Sequence, residues 1–359
     1  MSTNKYLKTS QLCLLFLAIV PVTKLVSMPS FLAMGADRSL WISAIVCFVL
    51  DLALFVVTSL ACKKYDCTFF EALKNTFGER GAKAVMAVFA IFFFIKALFP
   101  LLEEKYFIEN TFYEEITTSF VFYPFFGLCF YLCFKGLKCL ERTSFLLCFF
   151  AVCGIILTFF LTYKESELDR LLPLFQESPS QVVKASINSL SFCGEGIYLL
   201  FFMGRTEPGK KLTVPLILTL SAGYMAVIAL MVSFYGIFGS VSMTKIFSLS
   251  QMSHYSLIIS NIGRLDSIAC FLIDFARLFA ISLPLILCVE CTRYIFGEKI
   301  KFTLISSAIF VSLSIAFVII FNEKVFYTFN LINRWFKYFL LPFNFILPFF
   351  VFTLKKEKK

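Results

Sequence analysis

Charged side chains are scarce in this chain. Asp, Glu, Lys and Arg make up 16 % of its 359 residues, and there is one histidine, His254. A single histidine cannot build a metal site, and no nucleophile–base set or phosphate-cradling loop is present. No metal, cofactor or catalytic residue is therefore expected, and an enzyme is disfavoured. The 13 cysteines are scattered through apolar runs, as at Cys47, Cys129, Cys133, Cys148, Cys153 and Cys288. No C-x-x-C pair comes with a second pair or with histidine partners. They read as small buried hydrophobes rather than disulfides or zinc ligands. The net charge of +10 is spread over many loops, without the compact basic patch of a nucleic-acid footprint. No small-x-small cleavage site follows the apolar run from Gln11 to Val22, which argues against a removable signal peptide.

Apolar residues are abundant instead: 59 % of the chain, with a mean hydropathy of +0.86. That composition belongs to a polytopic protein embedded in a lipid bilayer. The 49 Phe and 14 Tyr suit lipid contact and core packing. The first apolar run resumes after Pro29. Further spans are expected at about 39–61, 82–102, 120–134, 143–162, 186–203, 212–238, 267–291, 302–321 and 333–354, so about ten helices in one transmembrane domain over 1–359.

Loop charges give an orientation. One set of loops holds Lys63, Lys64, Lys74, Arg80, Lys83, Lys135, Lys138, Arg142, Arg205, Lys210, Lys211, Arg293, Lys299 and Lys301. With both termini it carries about 20 cations against about 8 on the other set, which places both termini in the cytoplasm. On the opposite side Glu103, Glu104, Glu109, Glu114 and Glu115 form an acidic segment, expected to prolong the third span as a helix. The loop from about 239 to 266 is either a surface helix capping that face or irregular. His254 within it is expected to be solvated.

Two spans are interrupted. Ser191-Phe192-Cys193-Gly194-Glu195-Gly196-Ile197-Tyr198-Leu199 carries two glycines around one carboxylate, and each glycine weakens a helix by about 1 kcal/mol relative to Ala. Pro21-Val22-Thr23-Lys24-Leu25-Val26-Ser27-Met28-Pro29 sets a lysine between two prolines, which cannot donate backbone hydrogen bonds. Broken backbone survives at membrane depth only when buried in protein or facing a polar cavity. With ten spans split five plus five, the first and sixth occupy matching places, the pattern of a transporter site built on inverted repeats. The repeats would run over about 9–163 and 185–321, with final helices to 354.

The chain resembles the GerAB-type subunit of spore germination receptors, within the amino acid–polyamine–organocation transporter superfamily. The resemblance rests on Thr23-Lys24-Leu25 with Met28-Pro29-Ser30, and on Lys135-Gly136-Leu137-Lys138-Cys139-Leu140-Glu141-Arg142. Ser191-Phe192-Cys193-Gly194-Glu195 and Gly263-Arg264-Leu265-Asp266-Ser267-Ile268 complete it. It implies an all-α LeuT-like fold and a nutrient pocket between the first, third, sixth and eighth spans. It also implies two partner subunits, a membrane-anchored A-type and a lipoprotein C-type, in the inner spore membrane of an endospore former. Superfamily members usually have small residues where Lys24 stands. An ammonium there can replace a bound cation, which favours proton-linked or ion-independent behaviour over a sodium site.

Lys24 and Glu195 would meet if the two breaks meet, either to bind a zwitterionic ligand or simply to hold the breaks together, since pairing offsets much of the cost of burying each charge. N–H groups freed at Gly194 and Gly196 could hold a carboxylate. Thr23 and Ser27 offer hydroxyls, or bond back to their own helix. Lys96 on the third span should border the pocket, and Phe192, Cys193 and Tyr198 complete the candidate wall. Asp274 and Arg277, three apart on the eighth span, share a face and are expected chiefly to pair with each other. Asp51 is intramembrane without an assigned role, and Glu290 is expected to cap or snorkel. The leading functional expectation is a receptor that binds a small nutrient, an amino acid. An amino-acid permease is the alternative, and a purely structural membrane subunit a third.

Overall fold

The computed structural model describes residues 7–65, 67–112, 119–173, 178–206, 212–255, 265–297 and 299–321, with 338, 339, 342–344, 346 and 351. Among them the chain is helical, with one isolated β-bridge between Leu7 and Thr206. The helices are α1 (Thr9–Val22), α2 (Met28–Ala36), α3 (Leu40–Lys64), α4 (Phe69–Phe112), α5 (Ser119–Lys135) and α6 (Leu137–Thr162). They continue with α7 (Pro179–Ser189), α8 (Thr213–Phe238), α9 (Ser248–His254), α10 (Leu265–Phe296) and α11 (Ile300–Ile320). Seven helical stretches among the described residues are long and apolar enough to cross a membrane, with Thr9–Val22 and Phe122–Lys135 as shorter apolar helices. Most of the span expected at 333–354 lies outside the described residues.

Burial sorts the helices. The most apolar window of α10 is 83 % buried and that of α11 only 28 %, so α10 runs through the middle and α11 along the outside. α10 packs on α4 and α6, and α1 on α6 and α8. Gly78, at φ 74°, interrupts α4 near its start. Beyond it the helix continues to Phe112, so the acidic run from Glu103 to Glu109 does prolong the third span. It is not an exposed fringe, because Glu103 and Glu104 are buried.

The first expected break is real. α1 ends at Val22, one residue after Pro21, and α2 begins at Met28 with Pro29 in its first turn. The loosened carbonyls of Leu25 and Val26 need donors. The one hydroxyl hydrogen of Ser248, at the start of α9, is shared between them, its oxygen 2.7 and 2.9 Å away, and the Ser248 N–H donates to Val26 at 2.8 Å. Ser30 donates to the carbonyl of Lys245. Thr111 of α4 donates to Ser250 at 3.0 Å, and His254 Nδ1 lies 2.6 Å from Asp266 Oδ2 of α10. The described part of the 239–266 loop is thus a capping element tied to three spans, with His254 paired rather than simply solvated.

The opposite end is latched by ions. Glu290 pairs with Arg205, and with Arg293 at 2.9 Å. It therefore does more than cap or snorkel. The N–H of Leu7 donates to the Arg205 carbonyl at 2.7 Å, tying the N-terminal segment to the same place. Arg293 Nη2 donates to the Phe134 carbonyl at 2.8 Å. It reaches that carbonyl because Gly136 adopts φ 74°, ψ −169° between α5 and α6, where a Cβ would sit 2.5 Å from Arg293 Nη1. Gly136→Ala is expected to lower resistance to unfolding of the detergent-solubilised protein by about 2 kcal/mol. Gly127→Ala, where a Cβ meets nothing within 4 Å, should change it little.

Candidate functional site

The second break sits where α7 gives way to a 3-10 turn at Leu190–Phe192, an extended Cys193, a left-handed Gly194 (φ 93°) and a 3-10 helix over Glu195–Phe202. Each glycine has its own reason. Gly194 holds a backbone conformation that a side chain resists, and a Cβ there would lie 2.3 Å from the Asn344 side chain. Gly196 lets the segment approach α3, where a Cβ would stand 3.3 Å from the Phe55 nitrogen.

The two breaks face each other through charge. Lys24 Nζ lies 2.7 Å from Glu195 Oε2 and 3.5 Å from Asp51 Oδ2, all three buried. Thr23 Oγ1 is 3.2 Å from Glu195 Oε1 and 3.0 Å from its own helix's Val20 carbonyl. Asp51, which had no role in the sequence reading, holds the break in shape. Its Oδ1 accepts the Gly194 N–H at 2.9 Å and its Oδ2 accepts from Tyr224 of α8. The Gly194 N–H expected to be free for a ligand carboxylate is thus already engaged. The break's carbonyls are engaged too: Lys96 Nζ donates to Gly194 at 2.9 Å and Cys193 at 3.4 Å, and to Asn344 Oδ1 at 3.3 Å. Asn344 Nδ2 returns a bond to Cys193 at 3.3 Å. Two lysines and two carboxylates at the meeting point are balanced in formal charge.

Beside this knot lies a cavity of about 540 Å³, open solvent at its mouth included. Its polar wall holds Thr23, Lys96, Glu103, Glu195 and Tyr198. Ile19, Phe99, Ile281 and Pro284 make it apolar elsewhere. Phe192 lies between Phe31 and Phe99, tilted against the first and edge-on to the second, with ring centroids at 5.5 and 5.4 Å. Thr23, Lys96, Phe192, Cys193, Glu195 and Tyr198 are brought together on the wall. Lys24, Ser27, Gly194, Gly196, Asp274 and Arg277 are not lining residues. Lys24 points away, its ammonium 5.4 Å from the Tyr224 ring centre.

Asp274 and Arg277 do not form the pair expected of them. Arg277 reaches across to α4, 2.6 Å from Glu103 Oε2 and 2.7 Å from Glu104 Oε2. The long α4 sets two buried carboxylates opposite that guanidinium, so its charge is shared between two groups of another helix. Ser27 of the first break donates to Glu103. The sequence reading missed Glu103 and Asn344 as site residues. Glu103 lies about two turns beyond Lys96 on the same helix, one residue past the third span expected at 82–102. Among the described residues no group of three His, Cys, Asp or Glu side chains is placed to hold a metal ion.

An all-helical membrane bundle with two interrupted spans around a central cavity defines the class: an integral membrane protein with a transporter fold. The comparisons agree. Three variants of the Eremococcus coleocola manganese transporter superpose with TM-scores of 0.56, 0.56 and 0.54 at 12, 11 and 12 % identity. They cover 98, 96 and 98 % of this chain and 78, 76 and 78 % of their own. At that identity the likeness speaks for the LeuT-type fold alone. No curated protein matches the chain. The family model described as "Spore germination protein" matches residues 6–325. The chain belongs to the spore germination permease family.

Asp51→Asn should weaken the Lys24 contact and leave a dipole where a charge was. It is expected to destabilise the solubilised protein by about 3 kcal/mol, against about 1 kcal/mol for Tyr224→Phe, both read as shifts in thermal unfolding.

Proposed function

We propose that this chain is the nutrient-binding membrane subunit of a germination receptor. It takes a small molecule, an amino acid, into the cavity between the two broken helices and passes the event to partner subunits. The observation that carries this reading is the cavity itself. Segments from four spans wall it, and both helix breaks contribute to it. A ligand bound between two such segments shifts their equilibrium only as far as it prefers one arrangement, and broken helices offer two arrangements more readily than continuous ones. The partners are a membrane-anchored A-type and a lipoprotein C-type subunit, and the membrane is the inner spore membrane, with both termini on the cytoplasmic side.

The second reading, an amino-acid permease, is favoured by one observation: the fold is shared with transporters. Lys24 occupies the break with its own ammonium, which supports proton-linked or ion-independent transport over sodium coupling.

Full-length protein in liposomes, offered a panel of labelled amino acids, separates the readings. Saturable retention without internal accumulation, reduced at least tenfold by Glu195→Gln, is expected of the receptor. Accumulation against a gradient is the result expected of the permease. Retention unaffected by Glu195→Gln would rule out this cavity as the site.

A further inference from the structure

We propose that the cavity selects its occupant by a carboxylate group, held at Lys96 Nζ of α4. This rests on the amino-acid reading above and says which end of such a ligand is recognised first.

The charges on the cavity wall are not equally satisfied. Glu195 is matched by Lys24 at 2.7 Å and reached by the Thr23 hydroxyl. Glu103 lies 2.6 Å from Arg277, which it shares with Glu104, and accepts from Ser27. Lys96 meets only neutral groups: the carbonyls of Gly194 and Cys193, the amide oxygen of Asn344, and the Tyr198 ring, whose centre is 5.0 Å away. Among the described residues no carboxylate forms an ion pair with it. Glu195 and Asp51 act on it only from beyond contact distance, and both are paired with Lys24. A buried ammonium with no carboxylate in contact is costly, and a ligand carboxylate supplies that contact.

The other anchor for an anion is closed. The N–H of Gly194, at the start of the 3-10 segment, already donates to Asp51. A ligand carboxylate arriving there would have to displace a buried aspartate that Lys24 and Tyr224 also hold. Glu195 already has Lys24, whereas Glu103 shares Arg277 with Glu104; a ligand ammonium drawn to Glu103 would leave the carboxylate end of the same molecule for Lys96. Ile19, Phe99, Ile281 and Pro284 leave the remaining space to a small apolar side chain.

Binding there has a mechanical consequence. An ammonium has three hydrogens, and three protein oxygens already share those of Lys96. A carboxylate competes with them and loosens the tie from α4 to the sixth-span break and to Asn344.

The test uses full-length protein in liposomes and competition against labelled L-valine and L-alanine. The competitors are the matched acids lacking the amine, 3-methylbutanoate and propionate, and the matched amides, L-valinamide and L-alaninamide. The proposal predicts that the acids compete about 10- to 100-fold more strongly than the amides. Lys96→Met should bring that ratio close to one. Because it is a ratio on one preparation, general loss of folded protein does not mimic the effect, and the wild-type series stands without the variant. Amides competing as well as or better than the acids would overturn the carboxylate proposal and leave the amino-acid reading intact. Retention of neither labelled amino acid would overturn the reading for small apolar amino acids, and this inference with it.

Discussion

Lys24 and Glu195 stand 2.7 Å apart, each on a segment where a transmembrane helix is interrupted. Neither segment is stable alone in hydrocarbon. Unwound backbone there has no water to bond, and a lone charge is expensive. Brought together, the two segments satisfy each other. The lysine of one neutralises the glutamate of the other, and Asp51 of α3 holds the Gly194 N–H while lying 3.5 Å from the same lysine. The remaining loose groups are met from farther away. Ser248 supplies donors to Leu25 and Val26, and Lys96 supplies them to Cys193 and Gly194. The cavity exists because these two breaks are kept open at one level of the bundle.

Around this centre sit two further charged tiers. Toward the α9 end, Arg277 of α10 clamps Glu103 and Glu104 of α4, and Ser27 of the first break joins Glu103. Toward the other end, Arg205, Glu290 and Arg293 close the bundle below the 3-10 half of the sixth span. The elements that carry these charges are the same ones that wall the cavity. A change in the position of either broken helix therefore reaches both ends through ion pairs rather than through apolar surface, which slides more freely.

Much of this was legible in residue order. Prolines at 21 and 29 and glycines at 194 and 196 marked the breaks, because backbone hydrogen bonding depends on local residue type. Lys24 and Glu195 followed as partners, since an intramembrane charge requires one. The partners of Asp51 and Arg277 were not legible. They depend on which turn of α3 faces α8 and which turn of α10 faces α4, and helices that are apolar on every side carry little periodic signal. The i,i+3 spacing of Asp274 and Arg277 pointed to a local pair, and the longer reach to α4 won. Asn344 sits far from the break in sequence, and only the fold brings it to Gly194.

The central claim is that the two breaks are mutually dependent through one buried ion pair. A double-mutant cycle on Lys24→Met and Glu195→Met, read by unfolding of the solubilised full-length protein, measures that dependence directly. The account predicts that each single change costs about 3–5 kcal/mol, because it unbalances a buried charge cluster, and that the double change costs less than the sum of the two. Costs that simply add would mean that Lys24 and Glu195 act separately, and the two breaks would then need another reason to meet.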